Sequence, residues 1–177
     1  MSRTPEPDQP AVTDLPLDKK FQMLCGIVRA QHFAWREAVE RVCTGVDAAQ
    51  VVESMWRITG RETARAYLRQ LDPEAPLAPQ VAELIATSSR AMGEDAAAST
   101  GPGADEAWVT HAACPWLTWH RRLGLLEEDR PGCDCWFQST VGHLNEALGT
   151  RLKVETRESL PDGAASCRRR IWIEKEK

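Results

Sequence analysis

Apolar positions along this chain form three long helix-like runs, a stretch of mixed period, and two alternating segments. Phe21, Leu24, Cys25, Val28, His32, Trp35, Val39 and Val42 recur at three- and four-residue steps after Leu17, which places them on one helical face. Gly45 suits the stop of that helix and Asp47 the N-cap of the next. The second run carries Val51, Val52, Met55, Trp56, Ile58 and Leu68 and ends before Asp72-Pro73. Gly60 in its middle marks a break or a close helix contact. A third helix is predicted from Pro79 to Met92, with Val81, Leu84 and Ile85 inward.

Residues 93–104 are small and Gly-rich and read as a flexible linker. Trp108 to Ala113 reads as a short strand. Pro115 suits the first turn of a helix carrying Trp116, Leu117, His120 and Leu123. Another helix is predicted over Asp134 to Leu148, closing at Gly149. Leu152 to Glu158 and Cys167 to Ile173 alternate apolar and polar residues around the turn Pro161-Asp162-Gly163, a hairpin that the 108–113 strand can join. The predicted class is α+β: N-terminal helices packed with a small antiparallel β-sheet and two C-terminal helices. The expected organisation is a disordered leader over 1–16, a helical scaffold over 17–92, the linker over 93–104, and a cysteine-rich α+β region over 105–177. Residues 17–177 are expected to form one compact domain.

Composition narrows the partners. The 177 residues are 42% hydrophobic and carry a net charge of −4, so there is no basic surplus to neutralise phosphates, and nucleic acid is not expected. No apolar run approaches the roughly 20 residues of a membrane span. The N-terminus lacks the apolar core of a signal peptide, and a cytoplasmic setting with reduced thiols is expected. A homodimer is compatible with this composition.

The candidate chemistry lies between His111 and Glu146, with Cys167 and Arg169 beyond it. Cys114 and Cys133 are expected near helix N-termini, where the helix dipole lowers a thiol's pKa. Either can then be nucleophile. His111, three residues before Cys114, and His143 are candidate bases, and Glu146 shares a helix face with His143 as its orienter. Cys114, Cys133, Cys135 and Cys167 are also candidate zinc ligands, although Cys133-Asp-Cys135 is not a standard zinc spacing. Trp116, Trp119 and Trp136 are candidate walls of a ligand pocket, and inward-facing Arg169 a candidate carboxylate anchor. The bland reading is packing: cysteines and tryptophans fill cores, and the His143–Glu146 face can simply be solvated. His120, beside Arg121-Arg122, reads as surface, and His32 as a satisfied core histidine.

Cys114-Pro115, a helix ending in Arg-Leu-Gly-Leu, Cys133, a hairpin, and Cys167 before Arg168-Arg169-Arg170-Ile171-Trp172 follow in order. With Trp56-Arg57 before Gly60, this outline resembles the family named for L-2-amino-thiazoline-4-carboxylate hydrolase over about residues 18 to 174. The resemblance implies hydrolytic opening of a small sulfur-nitrogen heterocycle, with Cys114, Cys133 and Cys167 as the positions carried over. A second outline is similar to the small-molecule-sensing domain of vinyl reductases and phenol-responsive regulators, where cysteines can hold a structural zinc. The leading expectation is therefore a small-molecule hydrolase acting on a non-peptide C–N or C–S bond. The alternative is a non-catalytic small-molecule-binding module with structural or zinc-binding cysteines.

Overall fold

A computed structural model describes residues 15–174. The leader expected over 1–16 lies outside these residues except for its last two positions. The elements run α1 (Leu17–Val42), α2 (Ala48–Leu68), α3 (Leu77–Ala91), β1 (Asp95–Thr100), β2 (Glu106–Ala113), α4 (Pro115–Leu123), α5 (Leu126–Leu148), β3 (Leu152–Glu158) and β4 (Cys167–Ile173). The fold is α+β, with an antiparallel sheet in the order β1-β2-β4-β3.

The period-2 pattern explains the sheet. Ala107 and Val109 on β2, Ile171 and Arg169 on β4, and Leu152 and Val154 on β3 are buried and share the inner face, on which α3 and α5 pack. Ile85, Leu144, Leu152 and Ile171 are among the largest fully buried side chains. Each stabilises the fold by about 2 kcal/mol through removal of apolar surface from water. The opposite face carries Trp108 under the Arg168 guanidinium at 4.7 Å, and Trp172 under that of Arg170 at 4.6 Å.

Helix ends follow local chemistry. The Asp47 carboxylate accepts from the Ala49 amide at 2.9 Å and caps α2. Pro115 opens α4, and Gly124 at φ 72° closes it in the left-handed region. The α2–α5 crossing is close because Gly60 and Gly132 present no side chain. A Cβ on Gly60 would stand 2.7 Å from the Trp136 carbonyl oxygen, and one on Gly132 2.9 Å from the Trp56 indole nitrogen. Gly60 thus marks a close helix contact and not a break.

Two elements differ from the pattern reading. Residues 95–100, within the stretch read as a linker, form edge strand β1. Its alanines carry no period, but pairing with β2 and packing of Ala96 supply what local pattern does not. Helix α5 begins at Leu126, not Asp134, and runs through Pro131. Cys133 is therefore two turns inside the helix and away from the positive end of its dipole.

Candidate functional site: an apolar cavity with a buried polar floor

A cavity of about 1150 Å³ opens between α1, α2, α4 and α5. Its outer walls include Val28, Trp35 and Val39 of α1 and Val51, Met55 and Trp56 of α2. His32 stands inside an aromatic cluster, 5.3 Å from Trp56 and 5.4 Å from Trp116 between ring centres. Burial pushes its imidazole down to about 4, so it is neutral near pH 7. The histidine read as a core residue thus lines the cavity.

The inner end is polar and buried. The Trp116 indole N–H donates to Glu94 at 3.1 Å, and His111 Nε2 lies 3.3 Å from the other Glu94 oxygen and 3.0 Å from Ser89 Oγ. Burial pushes the Glu94 carboxyl up to about 7, against the opposing pull of the Trp116 hydrogen bond and the charges of Arg169 and Arg29. Burial, then the charge of Arg169, pushes His111 down to about 4. The contact is geometrically an ion pair, but these shifts make it a neutral hydrogen-bonded pair between about pH 4 and 7. His120, read as surface, is 5% exposed. Its Nδ1 is hydrogen-bonded to the Trp116 carbonyl oxygen at 3.0 Å and lies 2.7 Å from Asp129 Oδ2, which itself has no hydrogen-bond partner.

Arg169 is 3% exposed and lines the same cavity. Its guanidinium stands 4.3 Å from the Phe137 ring and 3.8 Å from the Asp134 carboxylate, and its Nε has no hydrogen-bond partner. Asp134 is already engaged by the Thr156 hydroxyl at 2.6 Å. The cavity thus ends at a buried cation that is only partly compensated.

The tertiary structure brings together only part of the expected site. His111, Cys114, Trp116, Cys133, Trp136, Cys167 and Arg169 line the cavity. Trp119 instead stacks on Phe33 at 5.5 Å beneath Arg122. Cys135 points its thiol at the Glu53 carbonyl oxygen of α2, 3.4 Å away. His143 Nδ1 is bonded to the Ser139 carbonyl oxygen at 2.9 Å, Glu146 is exposed, and neither lines the cavity. Of the two candidate bases, His143 therefore sits apart from the thiols with its orienter Glu146, while His111 shares the cavity lining with Cys114 and Cys133.

The two candidate nucleophiles, Cys114 and Cys133, are not activated. Cys114 is the N-cap of α4 and feels the Trp116 and Leu117 amides, but burial, reinforced by Glu94, pushes it up to about 12. Burial also raises Cys133 well above the ordinary thiol value, overriding the charge of Arg169. Cys167 accepts a hydrogen bond from the Leu160 amide at 3.2 Å. Zinc, the cofactor these cysteines were expected to admit, has no ligand set here: among the described residues no three His, Cys, Asp or Glu side chains converge to hold a metal. The reason is geometric, since Cys133 and Cys135 are two apart on a helix and face different neighbours.

Sequence reasoning missed Glu94, Ser89, Asp129 and the α2 wall. Glu94 follows the α3 stop in a stretch without period, and nothing local marks it as buried.

No protein-family model and no curated protein matches the chain. Among solved structures it is similar to a trafficking protein particle complex subunit 3 from Naegleria fowleri, covalently bound to palmitic acid, at 14% identity and a TM-score of 0.56. The likeness covers 87% of this chain and 97% of that one, and it is a likeness of fold. That protein is named for its place in a complex and not for a reaction. The expected hydrolase of a C–N or C–S bond, with its thiazoline-type chemistry, is corrected on this finding. The expectation of a small-molecule substrate as partner is corrected on the same finding, since the similarly folded protein is named as a subunit of a complex. Among the described residues no helix is long and apolar enough to cross a membrane.

Proposed function

We propose that this protein is a non-catalytic binding module that keeps an amphipathic molecule in the α1–α2–α5 cavity and serves within a protein assembly. The observation that carries this reading is the cavity itself. At about 1150 Å³ it exceeds the roughly 300–1000 Å³ of ordinary ligand pockets, and it is walled by aromatic and aliphatic side chains. Apolar walls reward an apolar ligand body, and the partly compensated Arg169 at the inner end rewards an oxygen-rich anionic head. The similarly folded trafficking subunit is described as holding palmitic acid, which supports an acyl-type occupant here. Its assignment to a complex supports protein partners.

The thiols fit a resident ligand better than turnover. A nucleophile needs thiolate, and burial holds Cys114 and Cys133 protonated near pH 7. Cys114, Cys133 and Cys167 act in this reading as compact apolar lining. All six cysteines are free, which supports a reducing, cytoplasmic setting.

The test is titration with dansyl-undecanoic acid, followed by quenching of tryptophan emission from Trp56 and Trp116. Saturable binding is expected, with the probe recovered chemically unchanged. An Arg169→Met variant should bind the acid about tenfold more weakly and should lose little affinity for the matching alcohol. Absence of saturable binding, or recovery of a hydrolysed probe, overturns the reading.

A further inference from the structure

We infer that the outer face of α1 is a self-association surface, on which a second copy of this chain packs its own α1 antiparallel to the first.

Helix α1 is 26 residues long, so it spans about 39 Å. Its inward face is short of apolar groups: Cys25, Arg29 and Phe33 are the buried residues. Most of its large side chains point elsewhere. Leu17 is 82% exposed, Leu24 60%, Trp35 73% and Val42 76%, with Phe21 and Val28 near 40%. Isolated exposed apolar residues need no explanation, but a continuous stripe of them does.

The spacing is that of a paired helix. Leu17, Phe21, Leu24, Val28, Gln31, Trp35, Ala38 and Val42 follow one another at alternating steps of four and three, a seven-residue repeat. All eight are exposed, and none is charged. A helix face turned to water over its whole length would carry charge. The exposed apolar surface is centred on this four-three seam and widened on one side by Met23 and Ile27, each about half exposed, the pattern of a helix–helix contact.

The occupant follows from the order of side-chain sizes. A two-fold axis between Arg29 and Ala30 sets Leu17 opposite Val42, Phe21 opposite Ala38, Leu24 opposite Trp35, and Val28 opposite Gln31 of the other copy. Each of the eight seam positions then has a partner within the seam. The bulky Phe21 meets the small Ala38, and the one amide falls next to the axis, where two Gln31 side chains are close enough to bond each other. An isologous contact of this kind needs no second protein. The exposed seam amounts to roughly 800 Å² per protomer, about what one side of a standard stable interface covers.

Position adds a consequence. Val28, Gln31, Trp35 and Ala38 belong to both the seam and the outer wall of the cavity. The second α1 would therefore roof the opening. The seam lies on α1 alone, whatever the cavity holds.

Sedimentation velocity of the full chain at micromolar concentration tests this. A dimer is expected, and Leu24→Glu or Trp35→Glu should weaken it at least ~100-fold by burying a charge at the seam. Both side chains touch little of their own protomer, so the thermal midpoint of each variant, followed by circular dichroism at a concentration where the wild type is also monomeric, should match it. Leu17→Glu, at the most exposed seam position, serves should either variant fail to fold. For orientation, with the exposed native Cys43 first replaced by Ser, Leu17→Cys paired with Val42→Cys should cross-link through a short bismaleimide, whereas Leu17→Cys alone should not. A monomeric wild type, or a dimer indifferent to these charges, overturns the inference. So does linkage of position 17 to position 17, which means parallel pairing, or a seam that pairs only with a different protein.

Discussion

His111 and Glu94 hold their protons in opposite senses at the cavity floor, and this sets a pH dependence that can be measured. Burial keeps folded His111 neutral down to about pH 4, while the unfolded imidazole takes a proton below about 6.5. The stability that neutral His111 contributes is therefore complete above pH 6.5 and lost as pH falls through 4, at most about 3 kcal/mol. His32 acts in the same direction, by less because it is more exposed. Glu94 runs the other way. Its folded value is raised to about 7, so its contribution is present below about pH 4.5 and lost as pH rises through 7. Between pH 4.5 and 6.5 the His111 and Glu94 slopes oppose each other, and the melting temperature should rise only by the smaller His32 contribution. Glu94→Gln keeps an acceptor for the Trp116 N–H and removes the falling slope. Its melting temperature should climb with pH across that window, and its advantage over wild type should be largest above pH 7. Parallel wild-type and Glu94→Gln profiles would show that Glu94 binds no extra proton on folding.

At the scale of elements, the α2–α5 crossing positions the cavity. Gly60 and Gly132 let the two helices approach until Thr140 Oγ1 donates to the Gly60 carbonyl oxygen at 3.2 Å. Trp56 and Trp136 are thereby held at the cavity wall. Gly60→Ala gains helix propensity but drives a methyl against the Trp136 backbone, and the clash should win. A net loss of about 1–3 kcal/mol is expected, lowering the melting midpoint by about 2–10 °C. An unchanged midpoint would mean that the crossing relaxes freely. Helix α1 contrasts with this pair. Arg36 bridges it to Glu128 of α5 at 2.6 Å, and Arg29 donates to the Met92 carbonyl oxygen at 2.7 Å. Polar ties of this kind hold a helix whose apolar stripe looks outward.

For the whole molecule, a large cavity under a helix held by a few ties predicts stabilisation by its occupant. A ligand bound only by the folded state at about 100 times its dissociation constant adds about 2.7 kcal/mol, which should raise the melting midpoint by roughly 5–10 °C. Undecanoic acid should do this in wild type more than in Arg169→Met. Equal shifts in the two proteins would remove Arg169 as the head-group partner.

Local pattern determined the helices α1 to α3, the β3–β4 hairpin and the α+β class, because periods of 3.6 and 2 are written in nearest-neighbour chemistry. It also placed Arg169 on the inner face of β4, since alternation alone decides which side of a strand a residue takes. Strand β1, the early start of α5 and the burial of Glu94 were settled by packing between segments distant in sequence. The same holds for the thiols. Clustering in sequence suggested convergence, but Cys135 turned to α2 and Cys133 fell inside a helix, and burial raised Cys114 and Cys133. A residue's type and period are properties of the chain alone. Its desolvation, and the groups that face it, come into being only when the elements pack.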